Sequence, residues 1–582
     1  MRPVKSQVQI KGKGVTGKLG SLTLSQQMDG HHHFSLLLKE IPEGGEKESL
    51  KAITPANYTG FLGEPIQIKI ETLDKVLTFE GIITGIQFRN AVGDVNQVLV
   101  TGSSPTLLMD LSPKNRFFHE KKLDAIAKEI LKAYSLKYDC KTSSSLSRPF
   151  TVQYQETDYD FLTRLAQEEG IWTYYDGVKF WITSENSKEP IRLRWRENLL
   201  EFSLGLRTRP LYHETNVYNY KEKKTFYQTT KSLRAGSSLP DFTQLAQKVS
   251  EKIHPETAYL NGNLDATDQK ELDNRLQVLK SAEIGQMVVG VGRGDLPGIV
   301  SGQPIEVTGM EKFDGQYLVT QITHTCNETG QYECYFECVP QGSAHPRWQA
   351  SQDHFQEVQS AVVTDTNDPD KLGRVKVKFH WNEGKEETPW IRISTLSAGG
   401  GRGSYWIPEK DDEVLVAFRH NDPSQPVVIG SLYTGKDKPR DDLPDPKDNV
   451  KAFVTKGGNT ILFRDNEGKE EILINTKDLK NQVSLKMGST PTITIKTEGN
   501  IAMECKDMAI KTKGNFTCTV SGEAEIKADK KAILKGKQDG VEIEGSKTSI
   551  KGPMQGVAIE GMKTDIKGSS MVEIKSAIVK IN

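Results

Sequence analysis

The residues of this chain that could do chemistry come in short, incomplete sets. Gly12-Lys-Gly-Val-Thr-Gly17-Lys18 nearly spells the GxxxxGK[ST] loop, in which backbone donors at a helix N-terminus cradle phosphate and a hydroxyl holds magnesium. Leu19 stands in the hydroxyl position and Leu22-Thr-Leu-Ser continues as a strand, so the segment reads as a glycine-rich hairpin turn. His31-His32-His33 could bind a metal, but adjacent strand residues point to opposite faces and no carboxylate or cysteine completes the set nearby in sequence. It reads as a polar loop entering the strand Phe34-Ser-Leu-Leu-Leu. Asp365-Thr-Asn367-Asp368-Pro-Asp370 has part of a calcium-loop spacing, yet Asp370 replaces the sharp-turn glycine and no glutamate stands at the twelfth position, which favours a plain turn. Cys334 and Cys338 share a strand face. With Cys326 and His324 they form the one metal set that spacing leaves open, because tetrahedral zinc needs four ligands. Ala398-Gly-Gly-Gly-Arg402-Gly403 lacks a strand-then-helix context and reads as a flexible surface loop. With no GxSxG elbow, HExxH helix, or kinase or amidase signature, no catalytic residue, metal site or cofactor site is assigned.

What must position any such residue is mostly strand. A chain of 582 residues holds several domains, and 36% hydrophobic content supplies ordinary cores. Its longest apolar runs, such as Val427-Val-Ile-Gly-Ser-Leu-Tyr433, are far too short for a spanning helix. The start alternates like a strand and lacks the apolar core of a secretory signal. A net charge of -1 leaves no overall footprint for nucleic acid or for an anionic membrane. Six scattered cysteines fit folding in a reducing cytoplasm better than a disulfide framework.

Strand-type segments dominate from Val8 to about Thr106. Two amphipathic helices follow: Leu123, Ile126, Ala127, Ile130, Leu131 and Tyr134 fall at helical spacing, as do Phe161, Leu162, Leu165 and Ala166. Thr157 and Asp158 are N-cap candidates for the second, and Gly170 lies just past its end. Polar helical stretches near Phe242 to Lys252 and Asp268 to Leu279 precede a second β region, Ile284 to about Pro340. A third spans Ala361 to Tyr433, and a charged, Pro-rich linker runs from Lys436 to Asn449.

From Lys451 to Asn582 the chain reads as short strands studded with Gly, Lys and Glu. Gly540-Val-Glu-Ile-Glu-Gly-Ser-Lys-Thr-Ser-Ile-Lys-Gly552 recurs sixteen residues later as Gly556-Val-Ala-Ile-Glu-Gly-Met-Lys-Thr-Asp-Ile-Lys-Gly568. Val541 and Ile543, like Val557 and Ile559, share one strand face. No helical pattern in the segment could cover that face, so stacked strands from further copies of the chain are the expected cover, giving an oligomeric rod. About sixteen short strands stacked at ~4.8 Å would make it on the order of 75 Å long. The period shortens to fifteen where Ile574 and Ile581 follow Ile559 and Ile566, which puts an irregularity at the tip.

Essentially the whole chain, in order, resembles a known family. Ala361-Val-Val-Thr-Asp365, Asp368-Pro369, Leu372-Gly373-Arg374-Val375-Lys-Val377-Lys-Phe379-His380-Trp381, Pro389-Trp390-Ile391-Arg392 and Pro423-Ser-Gln-Pro426-Val-Val-Ile-Gly430-Ser-Leu-Tyr433 resemble the OB-fold domain of VgrG. That family comprises the valine-glycine repeat spike proteins of type VI secretion, relatives of phage tail hub and spike. Thr151-Val-Gln-Tyr154 through Gly170-Ile171 looks like the family's central hub motif. Leu296-Pro-Gly298 and Phe313-Asp-Gly315-Gln-Tyr317-Leu-Val319, leading to His324, are similar to its second hub barrel. Asp411, Asn421 and Thr434 depart from the family pattern, the first two standing where glycine is common.

The resemblance implies a mainly β protein with some α. It would have a hub of two β-barrel regions with helices at 1–345, an OB-fold at 355–435, a linker at 436–450 and a trimeric triangular β-prism at 451–582. It further implies a structural homotrimer, not an enzyme, that joins inner tube and baseplate to a membrane-puncturing needle. Implied partners are an Hcp-like inner-tube protein, baseplate proteins, effectors and a PAAR-repeat tip protein seated on Ile578, Val579, Lys580, Ile581 and Asn582. OB-folds that bind nucleic acid want exposed aromatics in a basic groove, and no nucleic-acid partner is expected. Assembly would occur in the bacterial cytoplasm, with delivery outside or into a target cell on sheath contraction. The linker is too short for an inserted lysozyme domain, and no toxin is expected after the rod. The alternatives are the spike of an extracellular injection particle or phage-like tail, a peptidoglycan-degrading spike enzyme, and a trimeric adhesin or fibre.

Overall fold

The computed structural model describes residues 2–14, 18–40, 55–73, 75–90, 96–142, 148–184, 188–234, 239–260, 266–348, 357–382 and 386–581. They fall into two compact units, Met1–Val450 and Lys451–Asn582.

In the first unit, period-two burial builds one 14-stranded sheet. Leu22, Leu24, Ile66, Ile68, Ile70, Leu77, Phe79, Val98 and Val100 point into its core. The N-terminal strands join the later β region edge to edge, because Lys18–Gln27 pairs antiparallel with Gly315–Asn327, Ser21 opposite Asn327 and Gln27 opposite Gln321. The two β regions expected from sequence are therefore one continuous sheet.

The Leu123–Leu131 helix buries Leu123, Ile126, Ala127, Ile130 and Leu131 as its spacing requires. For the Asp158–Glu168 helix the cap is Thr157, whose hydroxyl accepts from Asp160 N–H at 3.1 Å, and Gly170 leaves it with φ +70°. Asp158 has another job. Its carboxylate is fully buried and takes Lys114 Nζ at 2.7 Å, Tyr134 OH at 2.6 Å and Gln153 Nε2 at 2.9 Å, with Arg116 Nη2 3.0 Å away. Burial would raise its pKa, but these partners hold it below the usual range.

The OB region is a five-stranded sheet in the order Lys376–Phe379, Gln359–Asp365, Glu413–Phe418, Pro426–Leu432, Arg392–Ile393. Val375, Val377 and Phe379 are buried while His380 is exposed, the alternation expected. Its core is shared with the hub. Phe117 and Phe150, from the paired strands Lys114–Lys121 and Arg148–Glu156, pack with Phe379 and Trp381. Tyr154 meets Trp381 edge-on, and Trp381 Nε1 donates to Gln359 Oε1 at 2.7 Å. These aromatics, which an OB-fold could offer to bases, are used to dock hub and OB-fold together. Asp411 and Asn421 hold left-handed backbone, at φ +75° and +57°. That is why glycine suits these positions, and Asp and Asn are the side chains that tolerate them best.

The second unit opens with an antiparallel meander of five strands in sequence order: Val450–Val454, Thr460–Arg464, Glu471–Asn475, Asn481–Lys486 and Thr492–Thr497. The roughly sixteen short strands expected belong to the stacked, oligomeric rod, and one copy alone forms these five. Among the described residues no strand follows Thr497. A strand exists through its neighbour's hydrogen bonds, and one copy of the chain does not supply them there.

Candidate functional site

The meander has two unlike faces. Register places Ile461 opposite Ile474, Ile474 opposite Val483 and Val483 opposite Ile495. A parallel row runs Phe463, Ile472, Leu485, Ile493. Eight apolar side chains thus occupy one face across four strands, and Ile474, Ile495 and Ile493 stay 47%, 55% and 72% exposed. The opposite face carries Arg464, Glu471, Ser484 and Lys486. Glu471 accepts there from Arg464 Nη1 at 2.6 Å and Ser484 Oγ at 2.7 Å. Two leucines paired across the strands also stand on that side, Leu462 buried and Leu473 half-buried.

After Thr497 exposed apolar side chains recur at Ile501, Met503, Ile510, Val520, Val541, Ile543, Val557, Ile559, Ile574 and Ile581. So much exposed apolar surface is a binding surface or an aggregation hazard. The sequence repeat is also a structural one. Gly540 and Gly556 hold φ +84° and +78°, and a Cβ on Gly536 or Gly552 would run into the carbonyl of the glycine four residues on. At the third turn Gly568 meets the carbonyl of Met571, only three residues on, which is where the period drops to fifteen. Of the tip residues, Ile578, Val579, Lys580 and Ile581 are exposed, and Ser576 Oγ accepts from Ile578 N–H at 3.3 Å; Asn582 lies outside the described residues.

The chemistry-bearing sets have other partners. Gln26 bridges two histidines. Its amide oxygen accepts from His324 Nε2 at 3.1 Å, so His324 Nδ1 accepts from Tyr332 OH at 2.7 Å. The Gln26 amide nitrogen donates to His32 Nδ1 at 3.3 Å, and His32 Nε2 donates to Ser301 Oγ at 3.1 Å. Ser301 spends its one proton on Tyr175 C=O at 2.9 Å, which fixes this direction throughout. Burial pushes both imidazoles down to about 3, so they are neutral. The triple histidine does lead as a loop into the strand His33–Lys39, but it is not solvated: His32 is buried, and His31 does have a carboxylate, Asp110, at 3.1 Å from Nε2. That carboxylate lies too far along the chain for a reading of local spacing to include it.

In the zinc set, Cys334 faces His324 across the sheet, Cys326 faces Tyr332 and Cys338 faces Val319. Burial pushes the Cys334 thiol up to about 12, and it donates to Gly294 C=O. Among the described residues no group of three or more His, Cys, Asp or Glu side chains is placed to hold a metal. In the calcium-like turn, Asp368 instead takes a fork from Arg374, Nη2 at 2.7 Å and Nε at 3.0 Å, together with backbone N–H groups of Asp370 and Leu372. Lys11 and Gly12 turn a hairpin between Lys5–Ile10 and Lys13–Gly14, and residues 15–17 lie outside the described ones. The Gly-rich segment at Ala398 is a two-stranded hairpin, Ala398–Gly399 with Arg402–Gly403, where a loop was expected.

A large hub sheet, an OB-fold docked on the hub's strand pair Lys114–Lys121 and Arg148–Glu156, and a tail with an uncovered apolar face define a class: hub-and-spike proteins of contractile injection machines. Residues 47–330 match the phage tail baseplate hub family, and residues 359–433 match the type VI secretion system/phage-baseplate injector OB domain. The type VI secretion system spike protein VgrG1b of Pseudomonas aeruginosa is 25% identical over 516 residues, 80% of this chain and 67% of that protein. The actin cross-linking toxin VgrG1 of Vibrio cholerae is 26% identical over 389 residues, 59% of this chain but only 34% of the toxin. An Escherichia coli type VI component, described as similar to the T4 tail proteins gp27 and gp5, shares the fold with a TM-score of 0.50 at 16% identity, covering 73% of this chain and 99% of that one. The chain belongs to the VgrG family, and its role is that of a structural spike at the tip of an injection machine. No described helix is long and apolar enough to cross a membrane.

Proposed function

We propose that the protein performs this role as a homotrimer, three tails winding into a triangular β-prism that a contracting sheath drives through a target membrane. The observation that carries the reading is the all-apolar meander face, continued by exposed apolar residues that lack strand partners in their own chain. Two further copies supply both missing things at once, a cover for the face and hydrogen bonds for the backbone. Closed threefold association also leaves few free strand edges.

In this reading 1–345 is the hub, 355–435 the OB adaptor, 436–450 a linker and 451–582 the shaft. The hub meets an Hcp-like inner tube and baseplate proteins, and the machine delivers effectors. Exposed Ile578, Val579, Lys580 and Ile581, with Asn582, seat a PAAR-type tip protein, consistent with the irregular last turn. The protein is a carrier and not itself an enzyme, assembled in the cytoplasm and expelled on firing. Native mass measurement of the full chain tests the reading: three times the chain mass is expected, and a stable monomer at micromolar concentration overturns it. Deleting Ile578 to Asn582 is expected to abolish binding of the tip protein while leaving the trimer intact.

A further inference from the structure

The hub unit contains a cleft of about 740 Å³ for which the spike role has no use. One wall is the polar side of the Asp158–Glu168 helix, where Tyr159, Thr163 and Gln167 follow one another at four-residue spacing, apart from the apolar stripe of Phe161, Leu162 and Leu165. Tyr159 is 5% and Thr163 9% exposed, and neither hydroxyl has a hydrogen-bond partner among the described residues. Buried hydroxyls are nearly always paired, so two orphans on one wall point to a group that arrives from outside. Asp29 lines the same cleft and accepts from Thr173 Oγ1 at 3.1 Å. Burial raises its carboxyl to about 6, against the pull of Thr173 and Arg347. Arg207 and Arg347 also line the cleft, but both are exposed, and charges standing in water are screened. Two further arginines on the lining are already spent, Arg164 on Glu156 and Glu168 and Arg209 on Glu283, so the recessed groups left to set the preference are the Asp29 carboxylate and the hydroxyl oxygens.

We propose that this cleft receives a lysine or arginine side chain of a partner polypeptide, its cation against Asp29 and its remaining N–H donors on the Tyr159 and Thr163 hydroxyls. That the occupant is a polypeptide rests on the reading of the chain as the hub of a multi-protein machine. The mass of the assembly tests that reading, whereas the following experiment tests the cleft. Fluorescein-labelled Ala-Ala-Lys-Ala-Ala amide is titrated into the full-length protein at pH 7.5 and followed by anisotropy, with Ala-Ala-Glu-Ala-Ala amide as the comparison. Saturable binding of the lysine peptide is expected, with the glutamate peptide about tenfold weaker or worse. Asp29→Asn should lose about tenfold, and Tyr159→Phe about threefold with its melting temperature unchanged or raised, because the hydroxyl it removes is buried and unpaired. The proposal is overturned by equal binding of the two peptides, by no saturable binding up to millimolar peptide, or by variants that keep full affinity. Should Asp29→Asn fail to fold, Tyr159→Phe decides alone.

Discussion

Truncating two isoleucines on the meander should dissolve the assembly without unfolding the chain. Ile474 and Ile495 lie in one row, separated by Val483, and their exposed fractions of 47% and 55% together amount to about one whole side chain. Covering that much apolar surface stabilises by about 2 kcal/mol per chain, hence about 6 kcal/mol per trimer. Ile474→Ala with Ile495→Ala should therefore lower the trimer association constant by about 10⁴-fold. Analytical ultracentrifugation over a dilution series reads this directly. Thr494→Ala with Lys496→Ala, on the opposite face of the strand that carries Ile495, should leave association within about threefold. Leu462→Ala, at a side chain the unit already buries, should cost about 2–5 kcal/mol of tail stability and so separates folding from assembly. If the isoleucine pair associates as tightly as the parent, the apolar face is not the interface and the argument from its exposure fails.

Three other outcomes are expected. His32 and His324 have folded pKa values depressed to about 3, so their stabilising contribution is present above pH 6.5 and is lost as pH falls below it. Asp29, raised to about 6, opposes this, leaving a net loss of about 2–3 kcal/mol between pH 7.5 and 5, visible as a lower urea midpoint for the hub. Arg374→Lys cannot reproduce the fork on buried Asp368 and should cost the OB-fold about 2–3 kcal/mol, read by the temperature at which 357–433 becomes open to protease. Gly540→Ala and Gly556→Ala force alanine into left-handed backbone at about 1–2 kcal/mol each, lowering the temperature of trimer dissociation, whereas Gly514→Ala, with open space and no positive φ, should not.

The sequence was informative wherever the deciding interactions are local. Leu123 to Leu131 and Phe161 to Ala166 announce their helices because helical burial repeats at three and four residues, and Val375, Val377, Phe379 announce a strand because strand burial repeats at two. The sixteen-residue repeat predicted a one-faced ribbon, and the glycine turns at 540 and 556 obey the same period. The apolar face at Ile461 to Ile495 left an equally plain signal, since four successive strands each carry two apolar residues two apart.

What sequence could not supply were pairings between distant residues. His31 meets Asp110, Gln26 bridges His32 and His324, Phe117 packs on Trp381, and Tyr159 reaches the cleft of Asp29. Each depends on which strands become neighbours, and register is set by the whole sheet and not by spacing along one strand. By itself, then, the chain dictated the order of its elements, the family and a tail that needs company, because periodicity and turn residues are properties of short stretches. Only the tertiary structure decided that the two β regions form one sheet, that the histidines are neutral links in a buried hydrogen-bond chain, and that Thr157 caps the helix while Asp158 anchors Lys114. Those outcomes are set by burial and by partners tens to hundreds of residues away, for which a linear sequence carries no distance.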